Sequence, residues 1–280
     1  MQHRSARRLY ITGFALAFVL AAVPARAQYQ PRPLDEPATG ESYHIEGAIG
    51  FWFPTSSILV ASGGGGALTG IVGTQIDART DLGLEDHRMS ELNLVLRPSK
   101  RNKFYFQYIP IHFDMSSVLK RPLVFNGQLY QLSLPVNSSL DWNAYRIGYE
   151  FDFVSRSRGY AGFMLEAKYT DTVVSLAAPG INEFASARAP VPAIGGIGRV
   201  YIVPNISVTG ELSGFELPAS LIKGDSGHYI DYQIYGTVNF TNNIGVQAGF
   251  RSLDVNFLVN TNYSGAFTMR GLYLGVVARY

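Results

Sequence analysis

Apolar and polar residues alternate along most of this chain, and the alternation has a period of two. Tyr43, Ile45, Gly47, Ile49, Phe51 and Phe53 fall on one face of a segment whose other face carries His44, Glu46, Ala48, Gly50 and Trp52. A period of two is the signature of a strand with two environments. It returns at Leu92, Leu94 and Leu96 against Glu91, Asn93 and Arg97, and again at Phe104, Phe106 and Tyr108. Tyr145, Ile147, Tyr149, Phe151 and Phe153 oppose Arg146, Gly148, Glu150 and Asp152. Ala161, Phe163, Leu165, Ala167 and Tyr169 oppose Glu166 and Lys168. Later strands follow around Ile194–Ile202 with Arg199, Ile206–Leu212 with Glu211, Ile230–Phe240 with Asp231, and Ile244–Phe250 with Arg251.

Punctuation between these runs is asymmetric. Short turns are expected near 98–102, 155–159, 204–205 and 241–243, and longer loops at about 177–190, 221–227 and 259–265. Pro110 interrupts an alternating run, and a bulge is expected there because proline cannot donate to a ladder. Asn126-Gly127 predicts a two-residue hairpin, since both positions of a type I′ turn need positive φ. That hairpin is expected to project outward. Nine strands follow from Leu92 and one precedes them, which makes ten. Residues 56–86 could supply two more and make twelve.

The last strand is Leu272, Leu274, Val276, Ala278 and Tyr280 on one side and Tyr273, Gly275, Val277 and Arg279 on the other. It is apolar on one face and ends the sequence on an aromatic. In this it resembles the insertion signal of bacterial outer-membrane β-barrels. At the other end, Arg4, Arg7 and Arg8 precede an apolar run from Leu9 to Val23 and then Ala25-Arg26-Ala27. This reads as a secretory signal peptide over residues 1–27, cleaved after Ala27. The run is too short for a spanning helix, which needs about 20 residues. Pro31, Pro33 and Pro37 mark residues 28–41 as an extended periplasmic tail, leaving 42–280 for the barrel.

Composition supports an envelope barrel over a soluble domain. Hydrophobic residues make up 47% and aromatics 13%, while charged residues are only 16%, against the usual quarter. An apolar outer band with aromatic girdles uses such a balance. There is no cysteine, so no disulfide framework. A net charge of +2 argues against nucleic acid as a partner. The expected fold is therefore all-β: a closed antiparallel transmembrane barrel of ten strands, with short periplasmic turns and long extracellular loops. Closure satisfies every backbone group in lipid. The competing class is a secreted lipocalin-like binding barrel.

Thr80–Asp86, the Asn126-Gly127 hairpin, Tyr149-Glu150-Phe151, Pro190-Val191-Pro192 and the aromatic C-terminus, taken in order, resemble a group of uncharacterised bacterial outer-membrane β-barrel proteins of the small porin-like or OmpA-like kind. The resemblance implies location and fold. It supplies no catalytic residue.

Candidate chemistry is sparse. His112 shares a face with Asp114, and an inward hydrogen-bonded pair is the plainer reading beside an acid–base dyad. Asp225, Ser226 and His228 could orient a hydroxyl, although a polar hairpin tip explains them as well. Asp77, Asp81, Glu85 and Asp86 with His87 have the oxygen density of a Ca²⁺ site but not an EF-hand spacing. A solvated turn is the simpler account, and no metal or cofactor is expected. Gly63–Gly66 lacks the Lys-Ser/Thr of a phosphate loop and reads as a flexible outer loop.

The charges opposite the apolar stripes are the stronger signal. Glu46, Glu91, Glu150, Asp152, Glu166, Glu211 and Asp231 face Arg97, Arg146, Lys168, Arg199, Arg251 and Arg279 in near balance. In a small barrel the interior is filled by side chains, so mixed signs predict an ion-paired lumen. Arg146, Arg199 and Arg251 are expected to meet Glu150, Glu166, Glu211 or Asp231. The function expected is non-enzymatic: a structural barrel, or a narrow path for a small polar solute. The alternatives are an outer-membrane hydrolase of lipid A or peptides and the lipocalin-like binder. Expected partners are outer-membrane lipids and the secretion and barrel-assembly machinery.

Overall fold

The computed structural model describes residues 37–63, 73–217, 226–259 and 263–280. The expected signal peptide, most of the glycine tract and Asp225 lie outside them. Among the described residues thirteen strands occur in order: β1 (Ile45–Ser62), β2 (Ile76–Asp77), β3 (Met89–Leu96), β4 (Asn102–Val118), β5 (Leu123–Phe125), β6 (Gln128–Tyr130), β7 (Pro135–Arg156), β8 (Gly159–Ala178), β9 (Ile181–Val203), β10 (Ile206–Leu217), β11 (Ser226–Asn239), β12 (Ile244–Val259) and β13 (Tyr263–Arg279). Ten of them form an antiparallel ring, closed by β13 on β1. The two-residue β2 pairs with β1, and β5–β6 form a separate hairpin. The described residues between 56 and 86 therefore add no further strand to the ring beyond the end of β1.

The ladder fixes the shear. Starting at Ile45, successive partners are Leu96, Phe104, Tyr149, Leu165, Ile194, Gly214, Ile230, Asp254 and Thr268. The last of these pairs with Ser57, twelve residues beyond the start on β1. Ten strands with this stagger tilt by roughly 40° and leave an interior that side chains can fill.

Alternation places Ile49, Leu92, Phe104, Ile147, Leu165, Ile194, Leu212, Ile234 and Leu274 on the outside. Tyr108, Tyr145 and Tyr169 form a row along its upper edge, the first two stacked at 4.9 Å and the last two tilted at 6.2 Å between ring centroids. Above that row the pattern inverts. On β4 the outward residues become Pro110, His112, Asp114 and Ser116, while Ile109, Ile111, Phe113 and Met115 point inward and are buried. The inversion involves no bulge: β4 and β7 stay in unbroken register from Asn102↔Phe151 to Val118↔Pro135. The bulge expected at Pro110 is absent. Pairing of β4 with β3 has already ended at Tyr108↔Leu92, so the missing donor disrupts no β3 bond.

The inward apolar residues build a core inside the loop end of the barrel. Trp142 meets Phe267 edge-on at 5.4 Å. Leu82 and Leu84 from the β1–β3 connection and Met89 at the start of β3 fill the same core, as do Leu123, Phe125 and Tyr130 of the β5–β6 hairpin. Asn126 and Gly127 have φ of 47° and 76°, as a type I′ turn requires. The hairpin folds inward over the core and does not project. Burying three large apolar side chains outweighs solvating the strands, since each is worth about 1.5–3 kcal/mol.

The expected loop at 177–190 is also corrected. β8 and β9 remain paired as far as Ala178↔Ile181, with only Pro179-Gly180 between them.

Candidate functional site: an ion-pair relay across the lumen

At the level of the outer apolar band, charged side chains fill the lumen. On β7, Arg146 reaches Glu166 of β8 at 2.5 Å and Glu211 of β10 at 3.4 Å. From β8, Lys168 lies 3.3 Å from Glu166 and 3.1 Å from Asp231 of β11. Arg251 of β12 lies 2.9 Å from Asp231 and 2.6 Å from Glu91 of β3. The relay thus runs Glu211–Arg146–Glu166–Lys168–Asp231–Arg251–Glu91 and links opposite walls. Neutral groups complete it: Gln107 donates to Glu91 at 2.8 Å, Tyr105 to Glu166 at 2.6 Å and Tyr235 to Glu211 at 3.0 Å. Gly148 makes room for Tyr105, because a Cβ there would lie 2.2 Å from its ring.

Two further groups sit nearer the turn end. Lys103 bridges Glu150 at 2.5 Å and Asp152 at 3.1 Å, and its ammonium stands 3.4 Å from the Tyr160 ring centroid. Arg279 pairs with Glu46 and donates to Asn239 at 2.7 Å. A cavity of about 80 Å³ separates these groups from the relay.

Below them the tail crosses the mouth. Ala38 N–H donates to Ser157 O at 3.3 Å, Thr39 N–H to Pro204 O at 2.7 Å, and Gly40 N–H to Asn242 Oδ1 at 3.1 Å. Three successive residues are thereby tied to three different turns. Glu41 then binds Arg199 at 3.0 Å, Arg97 at 3.2 Å and the Tyr201 hydroxyl at 2.8 Å. Burial opposes ionisation of Glu41, but Arg199, Tyr201 and Arg97 together hold its carboxyl below the ordinary range.

The alternation located the inward charges but not all their partners. Arg199 meets Glu41 and Thr209 instead of a strand carboxylate, and Glu150 is taken by Lys103. Lys103 was legible from parity, as the neighbour of outward Phe104. Glu41 was not, because a proline-rich tail carries no periodicity. Tyr43 is buried against Arg97 instead of facing out. The N–H groups of both His44 and Ile45 converge on Tyr280 O, which breaks the alternation there. Leu272, Leu274, Val276 and Tyr280 face outward, and Ala278 shares their face.

The remaining candidates are dispersed. His112 points outward above the tyrosine row, with Asp141 at 2.5 Å and Asp114 at 2.9 Å. The hydrogen bonds to Asp141 and Asp114 raise its pKa. With both ring nitrogens bonded, no lone pair is free to abstract a proton. His228 is 3.8 Å from Asp254 across β11–β12. Asp81 is held by Arg121 at 2.6 Å, and that hydrogen bond lowers its pKa against the opposing effect of burial. Arg79 takes Asp86 at 2.6 Å, and Asp77 caps the N–H groups of Arg79 and Thr80. These carboxylates knit a turn together.

No family model matches the chain, and no curated protein matches it by sequence. Among solved structures, the outer membrane protease OmpT from Escherichia coli aligns with a TM-score of 0.55 at 10% identity, covering 89% of this chain and 100% of OmpT. The fold is that of a bacterial outer-membrane β-barrel. The translocator domain of the autotransporter NalP from Neisseria meningitidis aligns at a TM-score of 0.45 and 10% identity, covering 88% of this chain and 91% of the domain. Ail from Yersinia pestis, in complex with a heparin analogue, aligns at 0.35 and 9%, covering 83% and 99%.

Proposed function

We propose that this chain is a non-enzymatic outer-membrane barrel with a closed lumen. It is exported with its leader removed after Ala27, and its partners are bilayer lipid and the secretion and assembly machinery. The observation that carries this reading is the relay. Seven alternating charges span the barrel wall to wall, and an ion crossing it would have to part pairs that are shielded from water. Breaking one buried pair costs about 3–5 kcal/mol. The inward core on one side of the relay and the docked tail on the other close the path twice more. The similarity to OmpT supports the barrel alone, since at this identity it carries no activity across.

The test is conductance. Native protein in planar bilayers should give little or no steady current. A large, stable open-channel conductance would overturn the proposal and favour a diffusion pore. Cleavage of peptide or lipid A by purified protein, lost on mutating His112 or His228, would replace it with an enzymatic reading.

A further inference from the structure

The barrel wall has a seam. Pairing of β9 with β10 ends at Ile194↔Gly214, yet both strands continue toward the loop end. Beyond that point, among the described residues, β9 is paired only with β8 and β10 only with β11. Tyr201 N–H donates to Arg158 O, just before β8, so odd-numbered positions of β9 donate toward β8 and even-numbered ones toward β10. Pro190 and Pro192 therefore occupy positions whose donors would point into the seam, and proline has none. Unpaired donors facing lipid would each cost several kcal/mol, and the two prolines remove that cost.

A cavity of about 740 Å³ occupies the seam, within the range of small-molecule sites. Leu165, Ile194 and Ile230 from the outer face line it together with Glu166 and Ala193 from the inner face and Phe215. Phe215 packs against the inward apolar core. The pocket is therefore open at the lipid-facing surface and reaches Phe215, which packs on that core. Its lower lip is continuous with the apolar band, while Glu216 and His228 stand at the side toward the loop end.

We propose that the seam between β9 and β10 binds one acyl chain of a membrane lipid, inserted sideways from the bilayer. The lip offers little to a polar solute, because Glu166 is already held by Arg146 and Tyr105. An apolar slot opening onto lipid-facing Leu165 and Ile194 suits a run of methylene groups, with the headgroup left near the polar rim. This goes beyond a closed lumen and does not depend on it.

The probe is phosphatidylcholine with a photoreactive diazirine at the end of one acyl chain, in phosphatidylcholine vesicles holding the native protein. After illumination, adducts should appear at inner-side Phe215 and Ala193 as well as at wall residues such as Ile147 and Leu274. Adducts confined to outward residues around the whole belt would overturn the proposal. Protein–protein cross-links through the seam would do so too, by assigning it to a second copy. Filling the slot with Ala193→Trp should lower the Phe215 adduct roughly tenfold and leave the Leu274 adduct unchanged. Heat-dependent gel mobility checks that the variant is folded, and the adduct map of the native protein decides the matter without it.

Discussion

Replacing Arg251 with Met isolates the energetic worth of the relay. Arg251 is almost fully buried and is, among the described residues, the only cation within ion-pairing distance of Glu91. Its other partner, Asp231, keeps Lys168 at 3.1 Å. The substitution therefore strands one carboxylate, whose remaining contacts are the neutral amides of Gln107 at 2.8 Å and Asn93 at 2.6 Å. Removing one partner of a buried pair costs about 3–5 kcal/mol. Glu91→Gln alone leaves Arg251 paired with Asp231 and should cost only about 1.5–3 kcal/mol, the worth of a charge-assisted hydrogen bond. The double variant has neither charge and should cost about 2–3 kcal/mol, well below the sum of the singles, giving a coupling near 3 kcal/mol. Unfolding by denaturant in lipid vesicles, followed through Trp52 and Trp142 fluorescence, measures all three. A loss below about 1 kcal/mol for Arg251→Met, or a double variant no better than the single, would refute the reasoning. Glu91 would then be hydrated and the relay would not be a buried network.

Acid should loosen the tail: Glu41 titrates below its ordinary 4.5, so its contribution is present above that pH and lost as pH falls through the lowered value. Hydrogen exchange at the Thr39 and Gly40 amides should accelerate there, and Glu41→Gln should bring the same change at neutral pH. Leu123→Ala should destabilise the protein by about 2–5 kcal/mol, read as a lower temperature for loss of the compact form on unheated gels. His112 should titrate above 6.5 by NMR, and Asp141→Asn should move it down. Stability from this pair is present below 6.5 and fades as pH rises through the raised value.

How much of this was legible followed from periodicity. Each strand of the ring announced itself by a period of two, and parity alone sent Arg146, Arg251, Glu166 and Asp231 inward. Parity cannot say which environment each face meets. The switch from Tyr108 to Ile111 reads as a slip in register, when the backbone continues unchanged and the surroundings differ. Prolines misled for the same reason. Pro190 and Pro192 look like loop residues unless the strand beside them has already left. The docking of Glu41 and of the Asn126-Gly127 hairpin depends on contacts more than fifty residues apart in sequence, which no local pattern records.

The inversion of polarity at constant register makes the chain a depth gauge. Along β4 the boundary between oil and water is written as a change of parity, between the outward Tyr108 and the outward His112. Nothing in the backbone marks it, so the height at which the barrel rides in the bilayer is set by composition alone. Moving the parity change by one rung of two residues would raise or sink that wall by roughly 5 Å. A bilayer of unsuited thickness would then have to wet leucines or bury aspartates.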